Sequence, residues 1–427
     1  MTLLNSRIVA VRAREILDSR GNPTVEAEVR TKATVGRASV PSGASTGSHE
    51  AIELRDGDPR RFHGKGVKRA VANVEKLIGP ALKGKDSSDI RSVDGIMTRL
   101  DGTSNKGRLG ANAILAVSMA VTRAGAKANG RTLFDHLGGL KKYRLPVPMM
   151  NVVNGGEHAD NGLAVQEFVI EPVGAETCSD AIRMGSEVYH SLKKVLTSKY
   201  GGGATNVGDE GGFAPPMTAT RDALEAMRQA IRASGYGEND VRLGIDAAAS
   251  TFRSPKGKYT VDEVAMDAGR LEDYYASLRD EYGLLTIEDP FGEEDYDAFA
   301  SITKRLGKKT KIIGDDLYVT SVPRIANGFK EKSTNAVLVK LNQVGSVSET
   351  MEAIRFTHAT GWAVAVSHRS GETEDAFISH LATAMEAEFI KAGAPARGER
   401  VEKFNELLRI EEELGARCSY AGKEFRR

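Results

Sequence analysis

At 427 residues the chain exceeds the length at which one hydrophobic core stops growing, so two domains are expected. Apolar residues make up 40% and charged residues 27%, with 59 basic against 58 acidic. That balance excludes a disordered chain and an overall field for nucleic acid, and leaves any anionic substrate to be captured locally.

Met1 to Arg14 mixes Arg7, Arg12 and Arg14 into the short apolar run Ile8 to Val11, without a long apolar stretch or a small-residue cleavage site. It reads as a strand, not a secretion signal. Residues 6–40 carry three short strands, the clearest being Val25, Ala27 and Val29 alternating with Glu26, Glu28 and Arg30, which predicts a half-exposed antiparallel sheet. Pro41-Ser42-Gly43-Ala44-Ser45-Thr46-Gly47 suits a lid or a plain surface loop. Helices are expected at about 66–78, 89–100 and 110–129; Ala111 to Val121 is alanine-heavy and interrupted by Asn112 and Ser118, so no membrane span is expected. Gly138, Gly139, Pro146 and Pro148 then punctuate the chain, which sets a boundary between a smaller α+β domain over 1–137 and a second domain over 138–427.

Beyond the boundary, apolar β-rich runs alternate with helices, as a parallel sheet requires. Ala181, Gly185, Val188, Leu192 and Val195 form one helical face, and Ser346 with Glu349 resembles a capping box. The strand runs are Leu285 to Ile287, Ile312 to Gly314, Ala336 to Val339, Ala363 to Val366 and Phe389 to Ile390, each too continuous to have a wet face. They are followed by Glu288, Asp315, Lys340, His368 with Arg369, and Lys391, at spacings of 27, 25, 28 and 23 residues. Any one such charge is at least as readily the opening of a solvated loop as a functional residue. Five in register predict a β/α barrel whose strand ends converge on one catalytic face.

Asp246, Glu288 and Asp315 end apolar runs and offer hard oxygen ligands, which suits Mg²⁺; zinc is disfavoured because no close His or Cys pairing exists. Glu288 and Asp315 are each followed by an aspartate, Asp289 and Asp316, and only one of each pair can face a metal; periodicity does not choose between them. Lys340 lies in a buried run, so it is either a salt-bridged structural lysine or a base. As a base it needs its pKa lowered from about 10.4 towards about 7–8, a shift that metal ions and a second cation such as Lys391 would supply. His368-Arg369-Ser370-Gly371 makes a cradle for phosphate or carboxylate. Asn154-Gly155-Gly156-Glu157-His158 and Val207-Gly208-Asp209-Glu210-Gly211-Gly212 set mobile backbone beside acid and imidazole groups, though such loops are more often turns. No nucleotide-binding fingerprint occurs. His49, His63, His136, His190, His358 and His380 read as structural or surface residues. Cys178 and Cys418 are too few for a disulfide framework and fit a reducing cytoplasm.

Together these segments resemble the enolase family over nearly the whole chain. The likeness begins at Glu15-Ile16-Leu17-Asp18-Ser19-Arg20-Gly21-Asn22-Pro23-Thr24-Val25-Glu26 and runs through Pro41 to Gly47, Gly110 to Leu115, Asn154 to Asp160, Gly208 to Gly212, Ser367 to Thr373 and Leu408 to Glu412. The resemblance implies dehydration of 2-phosphoglycerate to phosphoenolpyruvate and its reverse, in glycolysis and gluconeogenesis. It implies Lys340 as base on C2, and Glu210, helped by Glu167, as acid on the C3 hydroxyl. One Mg²⁺ falls to Asp246, Glu288 and Asp315, and a second, arriving with substrate, to Ser42. Arg369 and Ser370 match phosphate contacts, and His158, Gln166, His368 and Lys391 line the pocket. A cytoplasmic homodimer or larger homo-oligomer without membrane or nucleic-acid partners is implied as well.

Departures are few. Ala392 stands where the family usually has threonine, and Thr251 to Tyr259 is short where many relatives carry a longer lid. Glu288-Asp289-Pro290 and Gly393-Ala394-Pro395-Ala396-Arg397 look archaeal in type. The rival readings are another lyase or racemase of the superfamily, which would share the metal carboxylates and a base but lack the phosphate cradle and Glu210, and a non-catalytic binding protein that has kept the fold. Degenerate copies normally lose an acid, base or ligand, and none is lost here.

Overall fold

The computed structural model describes residues 6–43 and 47–426. The opening of the predicted first strand, residues 1–5, and Ala44 to Thr46 of the predicted lid lie outside them.

In the first domain β1 (Ile8–Leu17), β2 (Pro23–Thr31) and β3 (Val35–Ser39) form the predicted antiparallel sheet, in that order. Val25, Ala27 and Val29 of β2 are fully buried while Glu26 and Glu28 are half-buried and Arg30 exposed, as the period of two requires. Five helices follow: α1 (Lys68–Asn73), α2 (Gly79–Leu82), α3 (Ile90–Asp101), α4 (Ala111–Ala128) and α5 (Leu133–Gly138). The single helix predicted over 66–78 is instead α1 running through a widened π turn, Val74–Ile78, into α2. Pro80 explains the difference, because it has no N–H for the regular ladder and crowds the preceding turn. The alanine-rich α4 is buried on almost every side, packed on β2 and β3. Gly36 of β3 lies so close that a Cβ there would come 2.1 Å from the Ala120 carbonyl. Its small residues therefore serve close packing. No described helix is long and apolar enough to cross a membrane.

The second part begins with β4 (Tyr143–Leu145), β5 (Val147–Asn154) and β6 (Glu167–Glu171), then α6 (Cys178–Tyr200), α7 (Thr220–Ala233), β7 (Arg242–Asp246) and the small hairpin β8 (Tyr259–Val261) and β9 (Val264–Met266). From there α8 (Ala268–Tyr282), β10 (Thr286–Glu288), α9 (Tyr296–Leu306), β11 (Lys311–Gly314), α10 (Val322–Glu331) and β12 (Ala336–Val339) alternate. The chain closes with α11 (Leu341–Val344), α12 (Val347–Ala359), β13 (Ala363–Ser367), α13 (Phe377–Ala384), β14 (Phe389–Lys391), α14 (Gly398–Leu414) and β15 (Cys418–Tyr420), which pairs with β4. Ser346 caps α12 as expected, accepting the Glu349 N–H.

Eight strands form a closed barrel in the order β10-β11-β12-β13-β14-β5-β6-β7. Their interior residues are buried on both faces. One strand departs from the parallel expectation: β6 runs antiparallel to both β5 and β7. The segment between β5 and β6 carries only one short 3-10 turn, so the chain doubles back instead of crossing over a helix. The first residue of β6, rather than its last, therefore reaches the rim where the other strands end.

Candidate active site

The rim collects the predicted residues from seven strands. Asp246 and Glu288 end β7 and β10 and are register partners; Glu167 opens β6 opposite Asp246. Asp315 follows β11, Lys340 follows β12, His368 to Ser370 follow β13, and Lys391 ends β14. Asn154, at the end of β5, pairs with Glu167.

Lys391 Nζ is the hub of this arrangement, 2.7 Å from Asp246 Oδ2, 2.9 Å from Glu288 Oε2 and 3.2 Å from Glu167 Oε2. The three carboxylates hold its ammonium well above the usual lysine range against the opposing pull of burial. Glu288 is pushed well above the carboxylate range by burial and by Asp246. Its Oε1 is buried without a hydrogen-bond partner. A pocket with three carboxylates to one ammonium and an orphaned carboxylate oxygen fits a hard divalent cation.

Next to this group, Lys340 Nζ bonds Asp315 Oδ2, and Gln343 Nε2 donates to Asp315 Oδ1 at 2.8 Å. Burial pulls Lys340 down, but Asp315 outweighs it and the net direction is up, the reverse of what a resting base needs. The members of each acidic pair face different partners. Glu288 faces Lys391 and Asp315 faces Lys340, while Asp289, at φ +40°, accepts the backbone N–H groups of Asp315 (2.9 Å) and Asp316 (2.8 Å). Among the described residues, the sets whose ligand atoms lie within 4.8 Å of one another are His158, Glu167, Glu210 and Asp289, Asp315, Asp316. Asp246, Glu288 and Asp315 are instead divided between the two lysines.

Glu210 is surrounded by donors: Ser370 Oγ donates to Oε1 at 3.0 Å, Asn151 Nδ2 to Oε2 at 3.2 Å, and His368 Nε2 lies 3.4 Å from Oε2. Burial opposes its ionisation, yet His368 and His158 prevail and Glu210 lies well below the carboxylate range. Glu167 goes the other way, raised by burial first and then by Glu210. His158 joins the two, Nδ1 being 3.5 Å from Glu167 Oε1 and 3.8 Å from Glu210 Oε2, with Nε2 3.2 Å from Ser370 Oγ. Gln166 is buried beside them, its Oε1 without a hydrogen-bond partner.

The first domain reaches into the same rim. Ser42 and Gly371 exchange backbone hydrogen bonds at 2.7 and 2.9 Å, and the Ser42 hydroxyl donates to Asp18 at 2.5 Å. A Cβ on Gly371 would come 2.3 Å from Ser42 Oγ, so only glycine permits the approach. Ser42 is thus a clasp in this state, and its hydroxyl proton is spent on Asp18. Arg369 is held by Glu50 and by Asn342 Oδ1 at 2.9 Å.

Sequence reasoning missed Glu50, Asn151, Gln343 and Arg400. Arg400 and Lys403 carried a usable signal: they share a helical stripe with Phe404, Leu407, Ile410 and Leu414 on α14, and cations on an apolar stripe mark buried ionic work. Of the histidines set aside, His49, His358 and His380 pair with Glu294, Glu388 and Glu406 outside the site.

Residues 8–137 match the family described as "Enolase, N-terminal domain", and residues 142–427 match "Enolase, C-terminal TIM barrel domain". The enolase of Thermococcus gammatolerans is 54% identical over 421 residues, covering 98% of each chain. That of Methanothrix thermoacetophila is 53% identical over 420 residues, covering 98% of this chain and 99% of its own. That of Methanocaldococcus jannaschii is 54% identical over 415 residues, 97% of each. With both family domains matched in order and more than half the residues shared along nearly the full length, the chain belongs to the enolase family.

Proposed function

We propose that this enolase-family chain catalyses the reversible dehydration of 2-phospho-D-glycerate to phosphoenolpyruvate, as a phosphopyruvate hydratase of glycolysis and gluconeogenesis. The observation that carries the reading is the opposition of two proton carriers: β12, which Lys340 follows, and β6, which Glu167 opens, stand four strands apart in the closed ring of eight. A substrate lying across the mouth meets a base on one side and an acid pair on the other. Lys340 takes the C2 proton; Glu210, drawing on the proton that Glu167 retains, protonates the C3 hydroxyl as it leaves. Arg369 and Ser370 bind the phosphate, and His158, Gln166, His368 and Lys391 orient the remainder. Asp246, Glu288 and Asp315 would hold Mg²⁺, with Ser42 serving a second ion that arrives with substrate. An ion held there would supply positive charge to offset the negative charge that builds up beside the substrate carboxylate as Lys340 takes the C2 proton.

The family likeness supports a cytoplasmic homo-oligomer and a division of the chain at 137/138. The experiment is direct: purified protein with Mg²⁺ and 2-phosphoglycerate is expected to generate the ultraviolet absorbance of phosphoenolpyruvate. No absorbance change with folded, metal-loaded protein would sink the reading.

A further inference from the structure

One fully buried cation behind the site has no part in the chemistry above. Arg400, third residue of α14, is wholly enclosed. Its Nη1 points at His368 Nδ1 (2.6 Å) and at the Arg369 carbonyl (2.6 Å), and its Nη2 at the carbonyls of Asp209 (3.1 Å) and Ser370. A guanidinium has donors only and stays protonated in proteins. His368 Nδ1 must therefore accept, and a neutral ring then carries its proton on Nε2. Nε2 is the nitrogen that lies 3.4 Å from Glu210 Oε2. The opposite tautomer would set an N–H against a guanidinium and a lone pair against a carboxylate.

We propose that Arg400 is a positioning residue that holds His368 as the Nε2–H tautomer and so commits the ring's one proton to a hydrogen bond with Glu210. Burial supports the neutral state by taking His368 down to about 4. The bond favours Glu210 as carboxylate, the form it reaches on giving up its proton. Its loss therefore raises the barrier to C3 hydroxyl departure more than it weakens substrate binding. That last step rests on the proposed role of Glu210; the tautomer does not.

The tautomer is read from the imidazole nitrogen resonances of histidine-¹⁵N-labelled protein, with His368→Gln identifying the pair among eight histidines. A protonated Nε2 and an unprotonated Nδ1 across neutral pH are expected in the wild type. A proton on Nδ1, or on both nitrogens, overturns the proposal whatever the protein's activity. Arg400→Gln, whose amide offers a donor or an acceptor, is expected to give mixed tautomers and to lower kcat about tenfold with KM changed less than about twofold; Arg400→Lys, which keeps charge and donor, restores both. If either folded variant raises KM and leaves kcat and the tautomer unchanged, Arg400 only braces the turn after β13 and the positioning role fails. If Arg400→Gln does not fold, the wild-type and Arg400→Lys spectra decide: a lysine variant with mixed tautomers and wild-type kcat also refutes it. Absence of dehydration in the wild type would sink the proposed function alone.

Discussion

The guanidinium of Arg369 grips the carboxylate of Glu50, Nη1 to Oε2 at 2.8 Å and Nη2 to Oε1 at 3.2 Å, joining the rim of the barrel to the first domain. Both side chains are buried, so Arg369, the proposed phosphate ligand, is already engaged. Arg369→Lys keeps the charge and loses the fork, and is expected to raise KM for 2-phosphoglycerate by about tenfold or more, with a smaller change in kcat. Steady-state kinetics checks this. An unchanged KM would put the phosphate elsewhere.

The two proton carriers are separable. Lys340→Ala removes the proposed base and is expected to abolish both exchange of the C2 hydrogen with solvent and product formation. Glu210→Gln keeps size and hydrogen bonding but not the acid, so C2 exchange should persist while dehydration falls by about a hundredfold or more. Isotope exchange followed by NMR on both folded variants gives the result; exchange in Lys340→Ala but not in Glu210→Gln would reverse the assignment.

Excess chelator is expected to abolish activity and added Mg²⁺ to restore it. Mg²⁺ should also raise the thermal midpoint, because an ion held by Glu288 and its neighbours binds the folded chain and not the unfolded one. Full activity in chelator would remove the carboxylates from the metal role.

Glu171 lies at the far end of β6 from the rim, fully buried, with Thr286 Oγ1 donating to Oε1 at 2.8 Å and Oε2 unpartnered. Burial raises its carboxyl from 4.5 to about 7. The folded value exceeds the unfolded one, so the group's contribution is complete below pH 4.5 and is lost as pH rises through about 7, at a cost on the order of 3 kcal/mol. Glu171→Gln is therefore expected to raise the thermal midpoint by a few degrees at about pH 8 and hardly at all at about pH 5, with kcat unchanged. Equal midpoints at both pH values would refute it.

Much of this arrangement was legible in the residues. Charges closing successive apolar runs announced a barrel rim because strand ends in such a barrel share one face, and Glu288, Asp315, Lys340, His368 and Lys391 all lie there. The reversal of β6 was not legible, since Glu167 to Glu171 is an apolar run flanked by acids in either direction. Nor could spacing tell which of Glu288 and Asp289 faces Lys391: a left-handed backbone at Asp289 turns its carboxylate onto two N–H groups, and nothing in the pattern of apolar residues encodes that. For Lys340 the residues left open a salt-bridged lysine or a base that needs a lowered pKa. The structure pairs it with Asp315, a partner 25 positions away that the parallel pairing of β11 with β12 brings near.

The last long helix has a consequence for the order in which the site comes into being. Every proposed proton carrier, phosphate ligand and metal ligand precedes Gly398, yet the groups that brace the turn after β13 from behind, Arg400 and Lys403, are supplied by α14. During synthesis the barrel strands emerge first, with the His368 ring and the Thr373 carbonyl still lacking their cationic partners. A chain cut just short of this helix would carry the full chemical inventory and an unfinished instrument, and competence would wait on α14.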